Sequence, residues 1–267
     1  QDQMLACNAL GTTSLLFVGD SVQDSQFVSM ASLLGARGFQ EHNDFGTKAL
    51  PVCRGRSRIQ FLRNGGLVEP DIPHGSQAHR KLPSHANQAF LAISRKYDVL
   101  VMNTGAHYRP DDSHFNRTVE LGTGLLKNGF GDERNKLFVW RTTAMGHEGC
   151  KNISAPLPAP PPPYKSNTSF EYHWPLFEHQ NSIAINTLRQ YLPNLRVVDA
   201  YHMSERRADM HPVVYVPKGA RTPRSTEDCL HWCIPGPPDW WNALTLQYIH
   251  EWRSARHNSS ALFKSLL

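Results

Sequence analysis

Short apolar runs alternate with helical patterns along this chain, and the alternation predicts its architecture. Five runs read as buried strands: Leu15–Val18, Arg58–Leu62, Val99–Met102, Leu137–Trp140 and Arg196–Val198. Each is a short aliphatic, β-branched or aromatic stretch bounded by turn residues. Between the first two, Phe27, Met30, Leu33 and Leu34 recur at helical spacing, and Gly35 offers a C-cap. Phe90, Leu91, Ile93 and Tyr97 make a weaker second helix. Two more helices are predicted, from Pro175 to Tyr191 and from Pro238 to Trp252, the last with Trp241, Leu244, Tyr248 and Trp252 as its apolar stripe. Strands alternating with helices imply a mostly parallel sheet covered on both faces, with sites at the carboxyl ends of the strands.

One stretch breaks the order. Residues 151–169 hold six prolines, a composition that admits extended polyproline but neither helix nor central strand, so they read as a surface loop insertion. No internal repeat is evident, and a single domain spanning 1–267 is expected, since 40% hydrophobic content suffices for one substantial core. No apolar run of about 18 residues is present, so no membrane-spanning helix is predicted.

Charge narrows the partners little. Lys and Arg number 28 against 23 Asp and Glu, and the densest basic cluster, Arg54-Gly55-Arg56-Ser57-Arg58, lacks interleaved aromatics. That excludes a nucleic-acid signature and leaves a solvated face, with contact to an acidic polysaccharide as the alternative. Four Asn-x-Ser/Thr sequons, at Asn116, Asn152, Asn167 and Asn258, point to the secretory pathway, where disulfides between some of the five cysteines would persist.

Two segments carry the candidate chemistry: Gly19-Asp20-Ser21, directly after the first apolar run, and Asp228-Cys229-Leu230-His231-Trp232-Cys233. A serine hydroxyl needs an imidazole to take its proton and a carboxylate to hold that imidazole in the right tautomer. Asp228, three residues before His231, can reach the near ring nitrogen while the far one points to Ser21. Asp20, adjacent to the nucleophile, is expected to accept backbone hydrogen bonds instead. The Asn103-Thr104-Gly105 stretch ends a strand with groups able to donate to an oxyanion, as do the Ser21 backbone N–H and a backbone N–H near Gly65 or Gly66.

Further segments follow in a telling order: Trp140-Arg141-Thr142-Thr143-Ala144-Met145-Gly146-His147, then Arg207-Ala208-Asp209-Met210-His211-Pro212, then Asp228 to Asn242 with its Asp-Cys-x-His-Trp-Cys-x-Pro-Gly-x-x-Asp-x-Trp-Asn pattern. From about Leu15 to the end, the chain resembles the PC-esterase family of the SGNH (GDSL-type) superfamily. That family includes the plant trichome-birefringence-like polysaccharide O-acetyltransferases. The resemblance implies a three-layer α/β/α sandwich with a flavodoxin-like, parallel five-stranded sheet. It implies a Ser21–His231–Asp228 triad moving acetyl groups onto polysaccharide or glycan hydroxyls, in the Golgi lumen or after secretion. A carbohydrate acetylesterase using the same triad is the first alternative, and a non-catalytic glycan-binding domain the second.

No bound cofactor or metal is expected. The acetyl donor would be acetyl-CoA or an acetylated carrier, and a membrane acetyl-supply protein is a further partner in this reading. His107, Tyr108, Arg141, Arg207, His211 and Trp232 are candidate acceptor contacts, although Arg207 can instead pair with Asp209, and Trp232, Trp240 and Trp241 can instead anchor the last helix. Zinc seldom uses the tight alternation of Cys229, His231 and Cys233, so disulfides are favoured there. The proposed pairs are Cys150 with Cys229 and Cys7 with Cys233, leaving Cys53 as a thiol. His74, His79 and His85 read as loop residues.

Overall fold

A computed structural model describes residues 2–37, 48–63, 86–108, 112–130, 135–162, 173–212 and 228–264. Within them lie strands β1 (Leu15–Gly19), β2 (Leu50–Val52), β3 (Ser57–Arg63), β4 (Val99–Met102), β5 (Leu137–Arg141) and β6 (Leu195–Val198). The helices are α1 (Asp2–Leu10), α2 (Ser21–Leu33), α3 (Ala86–Ser94), α4 (Asp112–Phe130), α5 (Phe177–Tyr191), α6 (Ala200–Ser204) and α7 (Pro237–Lys264). The strands form one sheet in the order β2-β3-β1-β4-β5-β6. All neighbours run parallel except β2 and β3.

Period-two alternation sorts the strand residues between two cores. Leu15, Phe17, Ile59, Phe61, Val99, Val101, Leu137 and Val139 face one layer with Leu10 of α1, Phe27 and Met30 of α2, and Trp241 and Ile249 of α7. Leu16, Val18, Leu100, Met102, Phe138 and Trp140 face the other, with Phe90, Phe115, Val119, Leu126, Ala184 and Leu188 from α3, α4 and α5. The result is the α/β/α sandwich that the alternation predicts.

Several expectations are corrected. The sheet has six strands and is mixed, because β2 adds an antiparallel edge; at three residues with Pro51 in the middle, it gives no run to detect, and an edge is where a strand proline is tolerated. Helix α4 has no counterpart in the sequence reading: its buried stripe of Phe115, Val119, Leu126 and Phe130 is diluted by Gly122, Gly124 and Gly129, poor helix formers. Helix α1 was likewise not anticipated, and α7 runs well past Trp252. The described part of the proline-rich stretch is tied down at Leu157, whose N–H donates to the Arg206 carbonyl and whose carbonyl accepts from Arg206 Nε, both at 2.8 Å.

Candidate active site

Strand β1 ends at Gly19, and the chain turns at once into α2. Asp20 is the N-cap: its Oδ1 accepts from the backbone N–H of Val22 at 2.9 Å and of Gln23 at 3.1 Å. Two orphan donors of the first turn are thereby satisfied, and Ser21 becomes the first helical residue. The turn is too tight for a side chain at position 19, where a Cβ would lie 2.7 Å from Gln23 Cβ and 3.0 Å from the Asn103 carbonyl oxygen. Ser21 therefore sits at the carboxyl end of a central strand and at the positive end of a helix dipole.

Beneath that turn lies a buried charge network. Arg141, at the end of β5, is fully buried; its Nε donates to Gln23 Oε1 at 2.8 Å, one terminal nitrogen donates to the Thr142 carbonyl at 2.9 Å, and the other lies 3.9 Å from Asp20 Oδ1. Its guanidinium stacks over Trp241 at 5.2 Å. Burial pulls Arg141 down to about 10 against the opposing charge of Asp20, which leaves it a cation at neutral pH.

Asp228 and His231 form a compact turn. Asp228 Oδ1 accepts from the backbone N–H of Leu230 at 3.2 Å and of His231 at 3.1 Å. The same carboxylate meets His231 Nδ1, with Oδ2 at 2.9 Å, and His231 Nε2 lies 2.7 Å from Ser21 Oγ. Nδ1–H donation to the carboxylate leaves Nε2 bare to accept the serine hydroxyl. Burial would raise the Asp228 carboxyl, but hydrogen bonds from the His231 ring, the imidazole's charge and the two backbone donors hold it below the ordinary carboxylate value. The histidine side chain is 26% exposed and the aspartate 14%, so the imidazole can be reached from solvent while its partner is sheltered.

Other bonds brace this turn. Cys229 is disulfide-bonded to Cys150, the His147 N–H donates to the Cys229 carbonyl at 3.0 Å, and the Cys233 N–H donates to the Met210 carbonyl at 2.8 Å. The second expected disulfide is corrected: Cys7 pairs with Cys53, their Cα atoms 5.5 Å apart, where α1 packs against the turn after β2. Cys233 stays a thiol, pushed up first by burial and then by Asp209 and Asp228. Among the described residues no group of His, Cys, Asp and Glu could hold a metal ion.

The remaining candidates separate by burial. Of the residues expected to contact an acceptor, Arg141, Tyr108, His211 and Trp232 are buried. The phenol of Tyr108 accepts from Thr104 Oγ1 at 3.2 Å, and burial pushes it up to about 12. Trp232 packs edge to face on Trp241 at 5.9 Å. His107 is half-buried. Arg207 is bound at 2.9 Å through two nitrogens to the two Asp209 oxygens, and it covers the ring of Trp240 at 5.0 Å. Trp240, 39% exposed, is an aromatic surface that the residue types alone did not distinguish from its buried neighbour.

Asn103, the expected side-chain oxyanion donor, is engaged within the fold. Its Nδ2 donates to the Arg141 carbonyl at 3.0 Å and to Thr143 Oγ1 at 3.3 Å, so both amide hydrogens brace the ends of β4 and β5. Gly65, Gly66, His74, His79, His85 and Asn167 lie outside the described residues. Asn116 lies on α4, where its amide donates to Glu120 at 3.0 Å, Asn152 is exposed after the bend at Gly149, and Asn258 falls on α7. No helix among the described residues is long and apolar enough to cross a membrane.

Comparison with known proteins adds a family. Residues 131–248 match the family model described as PC-Esterase, the GDSL/SGNH-like acyl-esterase family found in Pmr5 and Cas1p. The chain is similar to protein trichome birefringence-like 13 of Arabidopsis thaliana, with 34% identity over 306 residues, covering 89% of this chain and 67% of that protein. Its identity to protein trichome birefringence-like 6 of the same plant is 24% over 285 residues, covering 89% of this chain and 56% of that protein. A shorter stretch of 63 residues, 22% of this chain, is 40% identical to part of xyloglucan O-acetyltransferase 1 of Arabidopsis thaliana and covers 15% of it. The chain thus spans little more than half of one of these relatives and two thirds of another.

Proposed function

We propose that this chain, which belongs to the PC-esterase family of GDSL/SGNH-like acyl-esterases, is a polysaccharide O-acetyltransferase acting through an acetyl-serine intermediate. The observation that carries the reading is the unbroken line from the Asp228 carboxylate through His231 to Ser21 Oγ, with contacts of 2.9 and 2.7 Å. Relatives named as xylan and xyloglucan O-acetyltransferases support a polysaccharide hydroxyl as the acceptor.

In the first half-reaction Ser21 Oγ bonds to the acetyl carbonyl carbon while His231 Nε2 takes the serine proton. The tetrahedral intermediate then expels the donor's leaving atom, which receives that proton from His231. Acetyl-CoA or an acetylated carrier would fill the donor role. In the second half, His231 takes the proton of a sugar hydroxyl whose oxygen attacks the acetyl-serine, and returning the proton to Ser21 Oγ restores the enzyme. Asp228 keeps Nδ1 protonated and balances the imidazolium at each stage. The Ser21 backbone N–H, at the start of α2, would donate to the oxyanion, a role its position in the first helical turn supports.

Intact mass after exposure to an activated acetyl donor tests this directly. The wild type is expected to gain one acetyl group and Ser21→Ala none; adding xylan or xyloglucan oligomers should discharge the adduct as acetylated sugar. Release as free acetate alone would replace transfer by hydrolysis, and absence of any adduct would remove the serine from the mechanism.

A further inference from the structure

His147 and His211 lie behind the turn that carries His231 and connect to it by an unbroken line of contacts. His147 Nε2 is 2.8 Å from the Glu205 carbonyl oxygen, His147 Nδ1 is 2.8 Å from His211 Nε2, and His211 Nδ1 is 2.6 Å from the carbonyl oxygen of His231. Both rings are buried. A carbonyl oxygen only accepts, so each end of the line needs a hydrogen on the nitrogen that faces it, and the contact between the rings needs a third. Two neutral imidazoles bring two. Filling all three contacts takes one additional proton, and without it lone pairs oppose each other at one contact in a place water does not reach.

Burial opposes charge on both rings, and the surroundings compensate for one positive charge in part and for a second not at all. The His211 ring lies 4.1 Å from the Trp232 ring at a tilt of 35°, presenting the indole π-face to a cation, and His147 meets the same indole edge-on at 5.8 Å. Burial is the largest influence on His147 and leaves it below its ordinary value, with the Glu205 carbonyl and the Asp209 carboxylate offsetting part of that loss. Asp209 is itself paired with Arg207. From the turn side Asp228 favours charge on His211 and His231 opposes it, with the Cys233 thiol nearby on the same turn. Burial, then the adjacent His147, pushes His211 down to about 3, so the pair does not take up two protons in the ordinary range.

We propose that His147 and His211 are positioning residues that hold a single shared proton and, in that state, clamp the main chain of His231 so that its imidazole stays on Ser21. The catalytic consequence rests on the triad reading above; the proton count does not. Losing the shared proton leaves one of the three contacts without a hydrogen, and the clamp slackens as pH rises through that loss.

Nitrogen-15 NMR of histidine-labelled wild type, assigned with His147→Gln and His211→Asn, reads the proton count without any substrate. At about pH 5, three of the four ring nitrogens of the pair are expected in the protonated range. Two protonated nitrogens at every pH from about 5 to 8 would overturn the shared proton. The second readout is kinetic. In His211→Asn an amide can still donate to the His231 carbonyl but cannot titrate, so its kcat/KM relative to wild type should climb about threefold or more as pH rises through the pair's proton loss. His211→Leu, lacking the donor, should be slow throughout. A pH-independent ratio for His211→Asn would reduce the pair to packing. If the wild type itself transfers no acetyl group, the triad reading fails while the NMR result still decides the proton.

Discussion

Cys229 is bonded through sulfur to Cys150, so the residue beside Asp228 is tied covalently to the loop that follows β5. The tie closes a separation of 79 residues and holds the Asp228–His231 turn near the carboxyl end of the sheet, where Ser21 emerges.

Replacing both Cys150 and Cys229 by Ala should lower unfolding free energy by about 2–4 kcal/mol, read as a shift in denaturant midpoint. Acetyl transfer should fall further than in the matching Cys7→Ala/Cys53→Ala protein, because that second bond joins α1 to the turn after β2, away from the Asp228–His231 turn. Equal activity losses in the two proteins would mean the Cys150 tie does not position His231.

Asp228→Asn keeps the shape but can leave His231 in the wrong tautomer, and kcat should drop about 10³–10⁴-fold with the fold intact by circular dichroism. The same pair has an acid signature. Because the folded Asp228 carboxyl is held below its ordinary value of 3.8, it contributes stability above that pH and loses it as pH falls through the folded value. The stability gap between wild type and Asp228→Asn, followed by urea titration, should therefore shrink on acidification below about pH 4.

Arg141→Met removes the buried partner of Gln23 and Asp20. Stranding that carboxylate should destabilise the protein by about 3 kcal/mol or more, visible as a large fall in Tm. Arg141→Lys should not restore it, since a single ammonium cannot serve Gln23, the Thr142 carbonyl and Asp20 together.

Asn103→Ala separates bracing from catalysis. Loss of its two donated bonds should cost about 1–3 kcal/mol of stability. Its kcat should change by less than about tenfold, whereas loss of an oxyanion donor would cost about 10²–10³-fold. The larger kinetic effect at unchanged stability would return Asn103 to the reacting centre.

Much of the scaffold is legible along the chain because it depends on near neighbours. Val99–Met102 is apolar throughout because both faces of β4 are covered, and Phe27 and Met30 point from α2 to one core because their spacing puts them on one side of a helix. Asp228 and His231 are only three residues apart, so their turn is a local matter as well. Elements with weak local signals escape: β2 is too short, and α4 is too rich in glycine. What the tertiary structure decided is the distance at which remote groups meet. Ser21 reaches His231 across 210 positions, Arg141 finds Gln23 across 118, and Cys7 takes Cys53 rather than Cys233. An arginine in isolated sequence reads as a surface cation, and only a fold that surrounds it with acceptors and an indole makes its burial tolerable. Periodicity records which way a side chain points; the closing of sheet and layers determines what it points at.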